Sequence, residues 1–249
     1  MINSKIPAII LYLKVPKIGK VKTRLVSELI NETQAYELQV EMIKDTLELL
    51  SSLKIEFQPI ISYFPEKDLK ILQEIILSFQ SVIQKIFLDK ILFIAQRGET
   101  NGIHFSSTFD QVLTLQNINS CIIIGGDTPH LESSIILDSL NWLNNKQPSA
   151  VVGPSQLGGF YIFGINDKLA GLENIFSKTN EFGYLLDICH TTNINMKILQ
   201  FLFDIDTSED VLTFYSIFNG IERNSKKITT KKREFFPHHT LNYLKRVIF

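Results

Sequence analysis

The run Ile122-Ile123-Ile124-Gly125-Gly126-Asp127-Thr128-Pro129-His130-Leu131 decides how this chain is read. Every residue from Cys121 to Ile124 is apolar, the pattern of a strand buried on both faces. Such strands belong to sheets covered by helices, and in open sheets of that kind ligands sit beyond the carboxyl ends of the strands. Asp127 stands at that point. Gly125 and Gly126 are expected to let a backbone or a phosphate approach closely, and Pro129 ends the strand and sets the turn. A strand-end carboxylate suits a hard dication, because Mg²⁺ takes one or two carboxylates and completes its shell with water and phosphate oxygens. The competing reading is local: Asp is common in turns because its side chain bonds nearby backbone.

Working upstream, the apolar run over residues 8–15 predicts a first strand, followed by Pro16-Lys17-Ile18-Gly19-Lys20-Val21-Lys22-Thr23-Arg24-Leu25. This is not a P-loop. Basic side chains and loop amides after a strand still suit an anion, the alternative being a solvated basic turn. A helix is predicted over 31–50, a strand over 55–63 weakened by Pro59, a helix over 68–79 and a strand over 91–95. The polar loop from Gln96 to Gly102 would share the sheet edge of Asp127 if the sheet is mostly parallel.

Downstream, a helix over 104–115 precedes the central strand, and another over 133–143 follows it, with Ser133 or Ser134 as its cap. A short strand over 150–153, a turn holding Gly158 and Gly159, and a strand over 160–165 come next. A helix over 182–191 and a buried strand over 196–203 lead to Asp204-Ile205-Asp206-Thr207-Ser208-Glu209-Asp210. Thr207 or Ser208 caps the next helix, with acidic residues in its first turn. Asp204 and Asp206 remain at a strand end, where one could reach a metal.

The 249 residues carry a hydrophobic fraction of 45%, a charged fraction of 20% and a net charge of −1. That is ordinary for a globular domain and no magnet for nucleic acid, so no nucleic-acid partner is expected. Cys121 and Cys189 are expected to be buried free thiols, which suits a reducing compartment. The first apolar stretch is too short to span a membrane and lacks the pattern of a signal peptide, so a cytoplasmic location is expected. One three-layer α/β/α domain with a mostly parallel sheet is predicted over residues 1–220. Residues 221–249, with Arg223, Lys226, Lys227, Lys231, Lys232, Arg233, Lys245 and Arg246, read as a basic, solvated C-terminal extension that could contact an anionic surface. His238-His239 is a weak metal signal, expected at the surface.

Four segments occur in an order that resembles a known family. They are the basic run of residues 16–25, Ile124 to Leu131, Gly153-Pro154-Ser155-Gln156-Leu157-Gly158-Gly159-Phe160-Tyr161, and the acidic run of residues 204–210. Together they resemble the glycosyltransferase-A-like transferases called radical-SAM/selenodomain-associated or arsenosugar-biosynthesis glycosyltransferases, which look related to nucleotidyltransferases. The resemblance spans about residues 6–218. It implies a nucleotide-diphospho-sugar transferase fold, with Gly19, Lys22, Arg24, Gln96, Gly158 and Gly159 on the nucleotide and its phosphates. It also implies Mg²⁺ or Mn²⁺ on Asp127 and Asp206. Leu157 stands where that family usually carries Asp, and His130 where it often carries an acidic residue.

The expected function is therefore a metal-dependent glycosyltransferase using a nucleoside-diphosphate sugar and a small-molecule acceptor, with Asp127 and His130 as candidate catalytic residues. The alternatives are a nucleotidyltransferase acting on a nucleoside triphosphate and a non-catalytic binding protein that keeps the fold.

Overall fold

The computed structural model describes residues 5–26, 29–224 and 235–248. Seven strands form one sheet in the order β3-β2-β1-β4-β6-β5-β7. They are β1 (Ile6–Lys14), β2 (Gln58–Phe64), β3 (Leu92–Ala95), β4 (Ile118–Gly125), β5 (Ser149–Pro154), β6 (Phe160–Ile165) and β7 (Asn195–Ile198). All neighbouring pairs are parallel except the two made by β6, so the sheet is mostly parallel as expected. The helices are α1 (Glu32–Ser52), α2 (Leu69–Leu77), α3 (Lys85–Leu88), α4 (Asn101–Leu113), α5 (Ser133–Leu143), α6 (Glu181–Thr191), α7 (Ser208–Asn224) and α8 (His238–Val247).

Side chains alternate across a strand, and here both faces are apolar. Ile9, Leu11, Leu13, Ile122 and Ile124 enter a core closed by α1, α2 and α5. Ala8, Ile10, Cys121 and Ile123 enter the opposite core, closed by α4 and α6. That two-sided burial is why β1 and β4 read as continuous apolar runs. Both cysteines are free and buried. No helix among the described residues is long and apolar enough to cross a membrane.

Pro59 lies inside β2, an internal strand. Its neighbour β3 begins to pair only at Ile60, so proline's missing N–H falls next to the strand start, where it is tolerated. The buried strand expected over 196–203 is instead a four-residue edge strand with an exposed Ile198. It pairs with β5, and beyond Ile198 the chain stays alongside that strand as a strap toward Asp204, Leu199 and Leu202 donating to the Val152 and Pro154 carbonyls at 2.8 and 3.2 Å. Helix α5 starts after Glu132 with no side-chain cap, and Ser133 lies within the helix. Thr207 does cap α7: its Oγ1 accepts from the Asp210 N–H at 3.3 Å, and Asp210 Oδ2 accepts from the Thr207 N–H at 2.8 Å. This is a reciprocal pair of the capping-box kind.

A third core was not foreseen. Leu38 and Met42 of α1 pack with Val211, Phe214 and Phe218 of α7 and with Leu241, Tyr243 and Leu244 of α8. The basic extension expected from residue 221 therefore divides. Helix α7 continues through Asn224, residues 225–234 with most of the basic cluster lie outside the described residues, and α8 is a packed helix rather than a solvated tail. Its basic residues Lys245 and Arg246 sit in its last turn, where they complement the helix dipole.

Helix α4 starts at the site edge and meets the 3-10 segment Leu172–Ser177 through Gly102. A Cβ on Gly102 would fall 2.1 Å from the Glu173 carbonyl oxygen. Backbone cannot yield as a flexible side chain does, so Gly102→Ala is expected to lower stability by about 1–3 kcal/mol, read as a shift in the urea midpoint. An unchanged midpoint would mean that this contact is slack.

Candidate active site

Four loops converge at one edge of the sheet: the basic turn after β1, the Gly-Gly-Asp turn after β4, the turn between β5 and β6, and the strap between β7 and α7. Because β1, β4, β5 and β7 run the same way, all four loops lie at the carboxyl ends of strands.

Lys22 is at the centre. Its backbone is left-handed (φ 48°), an uncommon conformation for a residue with a side chain and one that marks functional sites. The turn drives its side chain inward, leaving it 5% exposed. Lys22 Nζ donates to Asp127 Oδ2 at 3.1 Å and to Asp206 Oδ1 at 2.6 Å. Burial alone would lower the Lys22 pKa, but the two carboxylates more than reverse this and raise it. Lys22 is therefore a fixed cation. Arg24, mostly exposed, lies 3.9 Å from Asp206 Oδ2.

The glycines before Asp127 line the larger recess, and the turn is also packed from within. A Cβ on Gly125 would fall 2.6 Å from Asp127 Oδ1, so the close approach is made by the Asp127 carboxylate folding back over the turn. Gly126 offers its carbonyl to Gln39 Nε2 of α1 at 2.8 Å. The Asp127 carbonyl accepts from Ile205 N–H at 2.9 Å, which ties the strap to the β4 turn. Ile205 is buried, so its neighbours Asp204 and Asp206 in the extended strap face the cleft.

Asp204, expected with Asp206 at a strand end where one of the two could reach a metal, lines the larger recess. Thr128 Oγ1 donates to its Oδ1 at 2.8 Å, and Gln156 clamps its backbone, giving Nε2 to the Asp204 carbonyl at 2.8 Å and accepting its N–H at 2.9 Å. Burial first, then the Asp127 charge, pushes its carboxyl up to about 7. The alternation Asp204-Ile205-Asp206 was the available signal. Nothing local to Gln156 pointed to its clamp.

Two recesses share Tyr12, Arg24, Asp127 and Asp206 as a common wall. The smaller, about 340 Å³, is basic, with Lys14, Lys20, Lys22 and Arg24. The larger, about 770 Å³, is walled by Phe105, Phe160 and Phe176 and by Asp204. Gly159 lines it and Leu157 stands at its rim, 90% exposed with a left-handed backbone (φ 57°). Gly158 and Gly19 line neither recess; each takes a positive φ, and a Cβ would crowd Asn180 or Glu32 respectively.

Two candidates do not join the cluster. His130 is buried and lines neither recess, its ring centroid 4.4 Å from that of Phe203 at a tilt of 34° and near Phe214 and Phe218 under α7. A proline turn placed it inside a core, which removes it as a base at the cleft. Gln96 spends its amide on the Leu13 and Ser62 carbonyls at 3.3 and 3.1 Å. It holds the ends of β1 and β2 and lines a third recess with Phe64 and His104, which shares Tyr12 and Lys14 with the basic recess and Tyr12 and Phe176 with the larger one. Lys17 pairs with Asp68 at 2.6 Å, outside the site.

The oxygens of Asp127 and Asp206 converge on one point, now held by the Lys22 ammonium. Two carboxylates of this kind fit Mg²⁺ or Mn²⁺, which would draw further ligands from phosphate and water.

A family model described as an uncharacterized protein conserved in bacteria (DUF2064) matches residues 77–179, less than half of the chain. That span includes Asp127 and the paired glycines but neither Lys22 nor Asp206. No curated protein matches by sequence. The structure is similar to that of a protein from Desulfovibrio desulfuricans G20, provisionally assigned as a nucleotide-diphospho-sugar transferase, at 20% identity and TM-score 0.71, covering 97% of this chain and 96% of that one. It is similar to a cytidylyltransferase from Leptospira borgpetersenii at 15% identity and TM-score 0.52, covering 98% and 97%. It is also similar to CMP:2-keto-3-deoxy-manno-octonic acid synthetase in complex with CTP, at 8% identity and TM-score 0.51, covering 86% and 99%. The mostly parallel α/β fold of this chain is thus similar to that of these structures, a nucleotide-diphospho-sugar transferase and cytidylyltransferase fold.

Proposed function

We propose that this protein is a metal-dependent transferase whose substrate carries a nucleoside diphosphate, with a sugar nucleotide as donor. The observation that carries the reading is the placement of Lys22 between Asp127 and Asp206, where a basic recess opens into an aromatic-walled cleft. In this reading Lys20, Lys22 and Arg24 hold the diphosphate and offset charge on the leaving group. Asp127 and Asp206 would hold the metal, which when bound supplies further neutralisation of the diphosphate. Thr128, Gln156 and the Ile205 amide keep the carboxylates in position. The larger cleft receives the transferred group and the acceptor, with Phe105, Phe160 and Phe176 excluding water from one side.

A nucleotidyltransferase is the second reading, supported by the likeness to cytidylyltransferases. The two differ in product: free nucleoside diphosphate for the first, pyrophosphate for the second. Thermal unfolding with UDP-glucose, GDP-mannose and CTP, each with and without MnCl₂, tests both. A ligand at 100 times its Kd is expected to add about 2.7 kcal/mol of stability, and only with the metal present. The active nucleotide is then assayed for its released product. No shift with any nucleotide would remove the transferase reading and leave a protein that keeps the fold without this chemistry.

A further inference from the structure

Of the pair His238-His239, His238 is exposed as expected, whereas His239 lies against α1 away from the cleft. We infer that the junction of α1 and α8 is a second divalent-cation site, formed by Asp45, Glu48 and His239 and selective for a borderline transition metal such as Zn²⁺. One ligand atom from each of the three lies within 4.8 Å of the others. Asp45 and Glu48 stand three apart on α1 and so share a face, and His239 reaches them from the first turn of α8. His239 Nε2 is 3.2 Å from Glu48 Oε2, and its Nδ1 faces Glu41 Oε2 at 3.8 Å.

The two sides of the ring divide as a metal-binding histidine requires. Nε2 faces the ligand carboxylates, while Nδ1 faces a carboxylate that would accept its proton and set the tautomer. Glu41 is itself held by Lys44 at 2.8 Å. Asp45 Oδ2 accepts from the Thr240 N–H and hydroxyl, while among the described residues Oδ1 accepts a single bond, from the His239 N–H at 3.0 Å, and keeps a lone pair for a metal. Three carboxylates thus surround one imidazole and one lysine. The mixed nitrogen and oxygen donors distinguish this site from the all-oxygen pair at Asp127 and Asp206, since imidazole selects Zn²⁺ and its neighbours over Mg²⁺ and Ca²⁺. A bound ion would pin α8 to α1.

The test uses the full chain without a polyhistidine tag, stripped with chelator and titrated with Zn²⁺ by calorimetry and with Co²⁺ by visible absorption. Wild type is expected to take up one equivalent of Zn²⁺ with a rise in Tm, and Co²⁺ is expected to give visible bands. His239→Ala and Glu48→Gln are expected to weaken Zn²⁺ binding at least ~10-fold, as is Glu41→Gln through the ring orientation. Glu48→Gln keeps a helix former on α1 and guards against misfolding of the histidine variant. Asp89→Asn, at an exposed carboxylate outside α1 and α8, is expected to leave Zn²⁺ uptake unchanged. No stoichiometric uptake by wild type, or uptake by Glu48→Gln and His239→Ala equal to that of wild type, would overturn the assignment.

Discussion

Lys22→Met is expected to separate the two ligands of the candidate active site, weakening nucleotide binding while strengthening binding of the bare metal. Methionine keeps the length and apolar stem of the buried side chain but removes the ammonium that Asp127 and Asp206 share. On the transferase reading, the variant loses a charge-assisted contact to phosphate. Losing one partner of such a pair costs about 2–5 kcal/mol, which is roughly 30-fold or more in affinity. Without the ammonium, two carboxylates face each other with no cation between them, so Mn²⁺ alone should bind more tightly than to wild type. Calorimetry with Mn²⁺ and, separately, with the nucleotide reads both effects. Unchanged nucleotide affinity would make Lys22 a structural counter-ion only. Unchanged Mn²⁺ affinity would show that Asp127 and Asp206 are not a metal pair. The stability change should be modest, about 1–2 kcal/mol, because the carboxylates are 33% and 40% exposed and water relieves the broken pair.

The largest loss of stability is expected at Asp45. This fully buried carboxylate of α1 caps α8 across 195 residues of sequence, accepting the His239 and Thr240 N–H groups and the Thr240 hydroxyl. No side chain within α8 caps its own start. Asp45→Ala leaves the two buried Thr240 donors and the part-buried His239 N–H without this acceptor, each buried donor costing about 1–3 kcal/mol, offset by removal of a carboxyl that burial pushes up to about 7. The expected net loss is about 3–5 kcal/mol, read from urea unfolding in chelator. The pH dependence has a definite sign. A folded pKa raised above the unfolded value contributes stability that is complete below about pH 4 and is lost as pH rises through about 7. The gap between wild type and Asp45→Ala should therefore be wider at pH 5 than at pH 8. A loss under 1 kcal/mol would mean that α8 is capped by water and is not part of the third core.

Much of the architecture was already legible in the chain. The apolar runs in β1 and β4 admit only a strand covered on both faces, because alternate residues must all be dry. Asn31 and Gln34 announce the start of α1 through their spacing alone, and the structure shows both capping bonds at 2.9 Å. Asp127 was recognisable because a strand end in such a sheet is where ligands sit. These signals are local: each lies within one element and its flanking turn.

Other features were not local and could not be read in this way. Lys22 meets its carboxylates from 105 and 184 residues away, so a residue expected on phosphate also proves to be the counter-ion of both metal candidates. His130 occupies a turn that should face ligand, yet the aromatic side of α7 closes over it. The histidine pair expected at the surface, in a segment expected to be solvated, starts a helix that a distant aspartate caps. By itself the sequence determined the sheet, the order of most of its elements and the strand-end position of Asp127, because backbone periodicity and apolar burial are properties of consecutive residues. Which charges meet, which histidine is buried and which helix the tail builds were decided only by the tertiary structure, because those outcomes depend on side chains brought together across the whole chain.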